Sequence, residues 1–190
     1  MKYDGQHAVV WLNSHKEHAL DTTKILDGLG NLFQDKVNPV LYQQFRNGVL
    51  IDEDLTHNGI TVGGKNSLFN IMFGGGSQIT TWYFGLIDNS ATTLNDSTDT
   101  MGSHSWAENT AYAETVRQTW SPGSASAASI TNATAATFTI NATGTLYGMF
   151  VVSNNTKSGT TGTLWSTAAF STTKSVASGD TVKLTYTLSA

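Results

Sequence analysis

Apolar and polar residues alternate most regularly in the last third of the chain. In the segment 180–188, DTVKLTYTL, apolar side chains occupy every second position from Val182 to Leu188. This period of two predicts a strand with one buried face. Three further runs, separated by Gly, Asn or Ser residues, predict strands of the same kind: ATFTI at 136–140, GTLYGMFVV at 144–152 and GTLWSTAAF at 162–170. Short strands at short intervals are typical of an antiparallel sandwich or barrel.

The most aromatic run is ITTWYFGLID at residues 79–88. Its apolar side chains continue without strict alternation, which predicts a strand covered on both faces. Before it, Asn66 or Ser67 could begin a short helix, LFNIMF, which the glycines at 74–76 would end. Because this helix is nearly all apolar, we expect it to be buried against the sheet. After the strand, residues 89–109 form a long polar segment, and YAETVRQTW at 112–120 alternates as a further strand would.

Residues 1–56 differ from the remainder, because they contain most of the charged residues and only small apolar islands between chain breakers. AVVWL at 8–12 is one island, Ser14 could cap a helix, and Val40 to Phe45 is another short element. Short amphipathic pieces need packing partners. Two interpretations therefore remain open: an extended arm lying along another surface, or a small α-containing lobe folded against its own β domain. The predicted domains are residues 1–56 as this extension and 57–190 as a β-sandwich.

Composition narrows the classes of function. The net charge is −4, charged residues make up 13%, and no run of Lys or Arg occurs, which argues against nucleic-acid binding. The chain contains no cysteine, so it has no disulfides and no cysteine-based metal sites. We also predict no membrane association, because no apolar run approaches the roughly 20 residues of a membrane span. The first residues, MKYDGQ, lack the features of a secretory signal, and synthesis in a cytoplasm is expected.

Two sequence patterns could indicate a phosphate-binding or metal-binding site. GITVGGKN at 59–66 matches a phosphate-binding loop, but Asn66 replaces the required Ser or Thr and no buried strand precedes it, which favours a glycine turn. His15 and His18 could share a helix face, with Glu17, His7 or His57 completing a metal site of three or four ligands. Solvated side chains are the favoured interpretation for these histidines.

The evidence for a catalytic site in the sequence is equally weak. Glu108 with Glu114, or Asp96 with Asp99, could act as paired carboxylates, but nothing fixes the separation that glycoside hydrolysis requires. The tryptophans could stack on sugars, although aromatic residues in strands more often belong to the core: Trp82, Trp106, Trp120 and Trp165. Because no nucleophile, base and orienting group can be assembled, we predict no catalytic, cofactor-binding or metal-binding residue, and a protein that is not an enzyme.

The order of these elements along the chain resembles that of a known class of proteins. LFNIMFGGG leads directly into TWYFGLID, a polar loop and YAETVRQTW follow, and Thr-rich strands end in a Gly-Asp turn and TVKLTYTL. Residues 58–190 thereby resemble the decoration, or cement, proteins of tailed-bacteriophage capsids. The resemblance implies a mainly β protein, an antiparallel β-sandwich or jelly-roll with a short buried helix and an N-terminal extended arm.

The resemblance also implies a function. Such a protein, made in the host cytoplasm, would sit on the capsid surface of the virion, usually as a homotrimer. It would stabilise contacts between subunits of the major capsid protein, with no catalytic residues. Apolar residues of the extension would then contact the partner: Val9, Val10, Trp11, Leu12, Leu41, Tyr42 and Phe45. Deleting residues 1–56 should leave a folded β domain that no longer binds capsids tightly.

Two other classes of function stay open. One is a tail-fibre or other tail-associated receptor-binding protein, whose contact surface would be the loop 89–109 with His104 and Trp106. The other is a carbohydrate-active domain that uses exposed tryptophans.

Overall fold

Strands dominate the structure of the chain. The computed structural model describes residues 38–90 and 93–189, which form two antiparallel sheets and one helix. The five-stranded sheet contains β1 (Pro39–Arg46), β2 (Val49–His57), β7 (Ser129–Thr131), β8 (Ala136–Thr139) and β11 (Thr181–Ser189). The six-stranded sheet contains β3 (Gly59–Ile60), β4 (Trp82–Asp88), β5 (Glu108–Asn109), β6 (Gln118–Trp120), β9 (Gly144–Val152) and β10 (Leu164–Val176). Helix α1 spans Val62–Phe73, and no helix in the described residues is long and apolar enough to cross a membrane.

The two sheets pack face to face over one main core. The first sheet is ordered β2–β1–β11, with β7 and β8 both pairing with β11. The second is ordered β3–β10–β9–β4, with β5 and β6 both pairing with β4. Tyr42 and Leu184 from the first sheet share a buried cluster with Phe84 and Met149 from the second. The prediction of a mainly β, antiparallel β-sandwich is confirmed, while its finer jelly-roll form stays a prediction.

Strand β4 is the buried strand that its aromatic sequence predicts. Phe84 and Leu86 belong to the main core, whereas Ile87 belongs to a second cluster on the other face of the sheet. Gly85 lies between them, and a Cβ atom there would come within 2.1 Å of the Phe150 ring. The glycine is therefore required because the Phe150 ring of neighbouring β9 lies directly against the β4 backbone.

Residues 39–57 belong to the sandwich, so the predicted boundary at residue 56 is wrong. Val40 of β1 pairs with Tyr186 of β11 on one side and with Thr56 of β2 on the other. The described residues all belong to one compact unit. β1 and β2 join through Asn47 and Gly48, whose φ angles of 52° and 79° are those of a tight hairpin turn.

The predicted strand at 112–120 is much shorter in the structure. Only Gln118–Trp120 forms β6, and the chain bends before it. Arg117 is the reason, because its side chain is fully buried. It donates hydrogen bonds to both carboxylate oxygens of Glu108, at 3.0 and 2.7 Å, and to the carbonyl of Asn154 at 2.9 Å. A strand extended through this position would separate Arg117 from these acceptors.

The two ends of the described domain meet. The Asn38 Oδ1 atom accepts a hydrogen bond of 2.8 Å from the Ser189 backbone N–H. The Asn38 carbonyl accepts a second bond, of 3.1 Å, from the Asn58 N–H. Asn38 is itself buried. These bonds connect the start of β1, the end of β11 and the exit from β2.

A buried carboxylate joins β1 to the turn before β11. Asp180 accepts hydrogen bonds from Arg46 Nε and Nη2 at 2.7 and 2.8 Å, and from Gln44 Nε2 at 2.6 Å. The Ala177 backbone N–H donates another at 2.8 Å. The Arg46 hydrogen bonds outweigh the effect of burial and hold the pKa of Asp180 well below its usual range. Asp180 is therefore charged in the folded protein and fully hydrogen-bonded.

Deleting residues 1–56 should unfold the sandwich, contrary to the expectation from sequence. The deletion removes β1 and nearly all of β2, and it leaves one edge of β11 unpaired and the core without Val40 and Tyr42. Near-ultraviolet circular dichroism and thermal unfolding of the truncated protein test this. A cooperative transition at the full-length melting temperature would contradict the assignment of β1 and β2 to the sandwich.

Replacing Asp180 by Asn should destabilise the protein by about 2 kcal/mol at pH 7, because two charge-assisted bonds from Arg46 are lost. The lowered pKa sets the pH dependence. The Asp180 contribution is complete above the unfolded-state pKa of about 3.9 and is lost as the pH falls towards the native pKa. Urea unfolding should therefore show the difference from Asp180→Asn shrinking below about pH 4. Exposed Glu53→Gln, as the control, should change stability by less than about 0.5 kcal/mol.

Candidate interaction site

Helix α1 is attached to the sandwich through its first turn. Thr61 is the N-cap, and its Oγ1 atom accepts a hydrogen bond of 2.9 Å from the Gly64 N–H. The Thr61 N–H donates to the Trp165 carbonyl of β10 at 2.9 Å, and the Val62 N–H donates to the Asp96 carbonyl at 2.8 Å. The helix therefore begins at Val62, before both predicted caps, Asn66 and Ser67.

The glycine pair of GITVGGKN lies inside this first turn. Gly64 is the buried residue of the helix, and a Cβ atom there would come within 2.5 Å of the Trp165 carbonyl oxygen. At Gly63 the nearest atoms would be 3.7 Å away, an ordinary contact. The pattern that resembles a phosphate-binding loop thus has a packing role: Gly64 lets the helix backbone touch β10.

Beyond the first turn, most apolar side chains of α1 are exposed, so the prediction of a buried helix is wrong. Phe69 is 58% exposed, Met72 63% and Phe73 83%. Together with Val62 and Leu68, which are also exposed, they form what we call the helix surface. A helix that is apolar on all sides is expected to be covered. The helix surface is therefore the part of the described chain most in need of a partner.

A groove of about 350 Å³ lies between α1 and one end of the sandwich. We call it the tryptophan groove; it is lined by Ser67, Leu68, Ile71, Met72, Gln78, Ile79, Trp82, Trp120, Ile130, Trp165 and Leu188. The Trp165 Nε1 atom donates to the Tyr186 hydroxyl at 3.0 Å. The Trp120 Nε1 atom is buried and has no acceptor among the described residues. The groove is therefore lined mainly by apolar side chains.

Two apolar pairs, with the hydrogen-bonded Gln43 and Glu53 between them, lie on the outer face of the five-stranded sheet. Leu41 is paired with Leu55, and Phe45 with Leu50, so the members of each pair share a face. Leu55 is 61% exposed, and Lys183 lies over the Phe45 ring at 4.7 Å. We call Leu41, Phe45, Leu50 and Leu55 the outer-sheet patch.

The predicted partner contacts have different outcomes. Leu41 and Phe45 lie in the outer-sheet patch and are partly exposed. Tyr42 is fully buried in the main core against Phe170, so its prediction as a contact residue is wrong. The alternation of β1 explains this, because neighbouring residues of a strand point to opposite faces. The other predicted contacts lie outside the described residues: Val9, Val10, Trp11 and Leu12.

The loop after β4 is held by a buried tryptophan. Trp106 Nε1 donates to the Asp99 carboxylate at 3.0 Å, and the indole packs on Phe150 in the second core cluster. His104 stacks on Trp106 with ring centroids 3.7 Å apart. Trp106 is therefore a core residue, which removes it from the contact surface proposed for this loop. The loop still borders a polar hollow of about 420 Å³, lined by Thr93, Asn95, Thr98, Asp99, Ser103, His104 and Ser105.

The carboxylates considered for catalysis all have structural partners. Glu108 pairs with Arg117, and Glu114 accepts a bond from the Thr139 N–H. Asp96 accepts a bond from the Thr167 hydroxyl, and burial raises its pKa. Within residues 38–90 and 93–189, no three His, Asp or Glu side chains are grouped so that they could hold a metal ion. His15 and His18 lie outside the described residues.

Comparison with known proteins adds no relative. No protein-family model matches the chain, and no curated protein matches it in sequence.

Alanine at Gly64 and at Gly63 should have opposite effects. Gly64→Ala should destabilise the protein by about 2 kcal/mol, because the added methyl collides with the Trp165 carbonyl. Gly63→Ala should be neutral or stabilise it by up to about 1 kcal/mol, since alanine favours the helix and meets no close atom. Urea unfolding of both variants provides the measurement. Equal effects would show that the close approach of α1 to β10 is not a constraint.

Proposed function

We propose that this protein is a virion structural protein, a decoration protein that binds the outer surface of a tailed-phage head. It stabilises contacts between subunits of the major capsid protein and acts as a homotrimer. The observation that carries the proposal is the exposed helix surface beside the tryptophan groove. The resemblance of residues 58–190 to cement proteins supplies the identity of the partner.

The size of the helix surface supports a binding role. Five large apolar side chains, each between 44% and 83% exposed, leave on the order of 500 Å² of apolar area in one region. Monomeric soluble proteins rarely expose more than this in one patch. A standard interface needs about 800 Å² from each partner, so the helix surface would form the centre of a contact rather than all of it.

The presence of two apolar surfaces favours a role between neighbouring subunits. The helix surface belongs to α1, whereas the outer-sheet patch belongs to β1 and β2. A protein that stabilises an assembly has to contact at least two neighbours, and it therefore needs two separate binding surfaces.

A second candidate function is a tail-associated receptor-binding protein. The polar hollow in the loop 93–105 favours it, because hydroxyl, amide and carboxylate groups line a space of about 420 Å³. Such a lining is suited to polar ligands, including the hydroxyl groups of surface sugars. This candidate leaves the helix surface without a role, and we therefore place it second.

The position and number of copies on the virion separate the two candidates. Gold-labelled antibody raised against the protein should decorate the heads of the phage whose genome encodes it, with many copies per particle on a quantitative gel. Heads assembled without the gene should be unlabelled and should release DNA at a lower temperature. Labelling confined to the tail, with few copies per particle, would favour the receptor-binding candidate and contradict a decoration role.

A further inference from the structure

We propose that the polar hollow in the loop after β4 binds the hydroxyl groups of a neutral sugar, with the Asp99 carboxylate as the main acceptor. The inference names the ligand class of the hollow on which the second candidate function rests. It does not depend on the decoration role, because the hollow shares no residue with the helix surface, the tryptophan groove or the outer-sheet patch.

Asp99 is a buried carboxylate with one oxygen held and the other open. The residue is only 7% exposed. Its Oδ2 atom accepts hydrogen bonds of 3.0 Å from both the Trp106 Nε1–H and the Asn95 backbone N–H. Oδ1 accepts no bond from a described residue and, unlike the Trp120 Nε1 atom, it is not enclosed. An acceptor in so buried a residue requires a donor, and the hollow that Asp99 lines is the side from which a ligand can offer one.

The walls of the hollow are fixed by contacts within the protein. Trp106 anchors the loop in the second core cluster. The backbones of Thr100 and Ser103 exchange hydrogen bonds of 2.9 and 3.1 Å, which close a tight turn. The Ser105 hydroxyl donates to the Thr93 carbonyl at 3.2 Å and thereby joins the two sides of the loop. A site that is already in place has a smaller ordering cost to meet when a ligand binds.

Other polar groups of the hollow complement the Asp99 acceptor. The Asn95 side-chain oxygen accepts a bond of 3.1 Å from the Ser97 N–H, which orients the amide so that Nδ2 stays available as a donor. The hydroxyls of Thr98 and Ser103 also line the hollow. The hollow therefore offers an acceptor, a donor, and hydroxyl groups that can do both.

The His104 ring adds a second acceptor. Its Nδ1 atom lies 2.7 Å from the Trp106 carbonyl oxygen, and Nδ1 carries the hydrogen because a carbonyl only accepts. In a neutral imidazole the other nitrogen, Nε2, is then an acceptor. The ring is held in place by stacking on the Trp106 indole, with the ring centroids 3.7 Å apart.

This mixture of groups selects a neutral ligand with several hydroxyl groups. An anion would be repelled by the Asp99 carboxylate, and an ammonium group, which only donates, would leave the Asn95 amide without an acceptor. A bound metal ion would need three or four ligands, and no such group of His, Asp and Glu side chains occurs in the described part of the chain. A sugar hydroxyl both donates and accepts, and the volume of about 420 Å³ is that of an ordinary small-molecule site.

Titration followed by nuclear magnetic resonance tests the ligand class on the full-length chain. The probes are the methyl glycosides of glucose, galactose and mannose. Cyclohexanol, cyclohexylammonium and cyclohexanecarboxylate serve as controls, because they keep a six-membered ring and change its polarity or charge. We expect at least one glycoside to shift saturably the indole N–H signal of Trp106, which bonds to Asp99, and the amide signal of Asn95. No saturable shift with any glycoside would overturn the proposal, as would tighter binding of cyclohexylammonium than of every glycoside.

Asp99→Asn tests the role of the open oxygen. Asparagine can keep both existing bonds through its amide oxygen, and it then presents a donor instead of an acceptor to the hollow. Affinity for the glycoside should fall at least about tenfold. Glu53→Gln removes the same charge from an exposed position on β2 and should leave the affinity unchanged. Full affinity in Asp99→Asn would refute the inference.

Asn95→Ala provides a second variant that leaves the buried carboxylate in place. It removes the Nδ2 donor from an exposed residue and keeps the backbone bond from Asn95 to Asp99. We expect weaker binding of the glycoside, with near-ultraviolet circular dichroism showing that the fold is retained. Affinity equal to that of the unmodified protein would contradict the assignment of this hollow as the sugar site.

The titration and the virion labelling fail independently of each other. Labelled heads together with no glycoside binding leave the decoration role intact and remove the sugar site. Glycoside binding by a protein that is found only on tails keeps the sugar site and removes the decoration role.

Discussion

The backbone contact between Gly64 and Trp165 determines where this protein exposes its apolar surface. The first turn of α1 touches β10 so closely that no Cβ atom fits, and the Thr61 cap holds it there. The remaining turns have no such attachment, so the groove opens between them and the end of the sandwich. A helix held along its whole length would cover the tryptophans, and it would leave neither a groove nor an exposed Phe73.

Few residues of this chain are charged, and several of those charges lie inside it. Asp180 binds Arg46, Arg117 binds Glu108, and Lys174 lies 3.2 Å from Asp54. The first and third pairs connect elements that are more than 100 residues apart, and in each of the three pairs at least one member is almost fully buried. Burial alone would raise the pKa of Asp54, but bonds from Ser171 and Lys174 outweigh it and lower that pKa. These charged pairs therefore connect elements in the interior of the sandwich.

The sequence predicts the elements whose hydrophobic pattern can be recognised within their own segment, without knowledge of the residues that they contact elsewhere. The alternation of β11 and the aromatic run of β4 lead directly to correct strands. β2 was missed because its sequence, VLIDEDLTH, places carboxylates on both faces, and only the fold shows that Asp54 binds Ser171 and Lys174. The helix was predicted, but not its exposure, because an all-apolar helix has the same pattern in a core and at an interface. The sequence indicates only a short element of undefined type at residues 40–45. In a strand, side chains alternate between the two faces, so Tyr42 lies on the opposite face from Leu41 and Phe45.

The bond between Asn38 and Ser189 shows that the two ends of the described domain lie side by side. Any sequence attached to either end leaves the sandwich from the same place on its surface. Because the two ends lie together, a short linker can join them. New ends can then be made at an exposed turn, as in a circular permutation. The Asn47-Gly48 hairpin, far along β1 from this point, is such a turn. A cargo fused at the natural ends and one fused at that hairpin would therefore stand at opposite ends of the same strand.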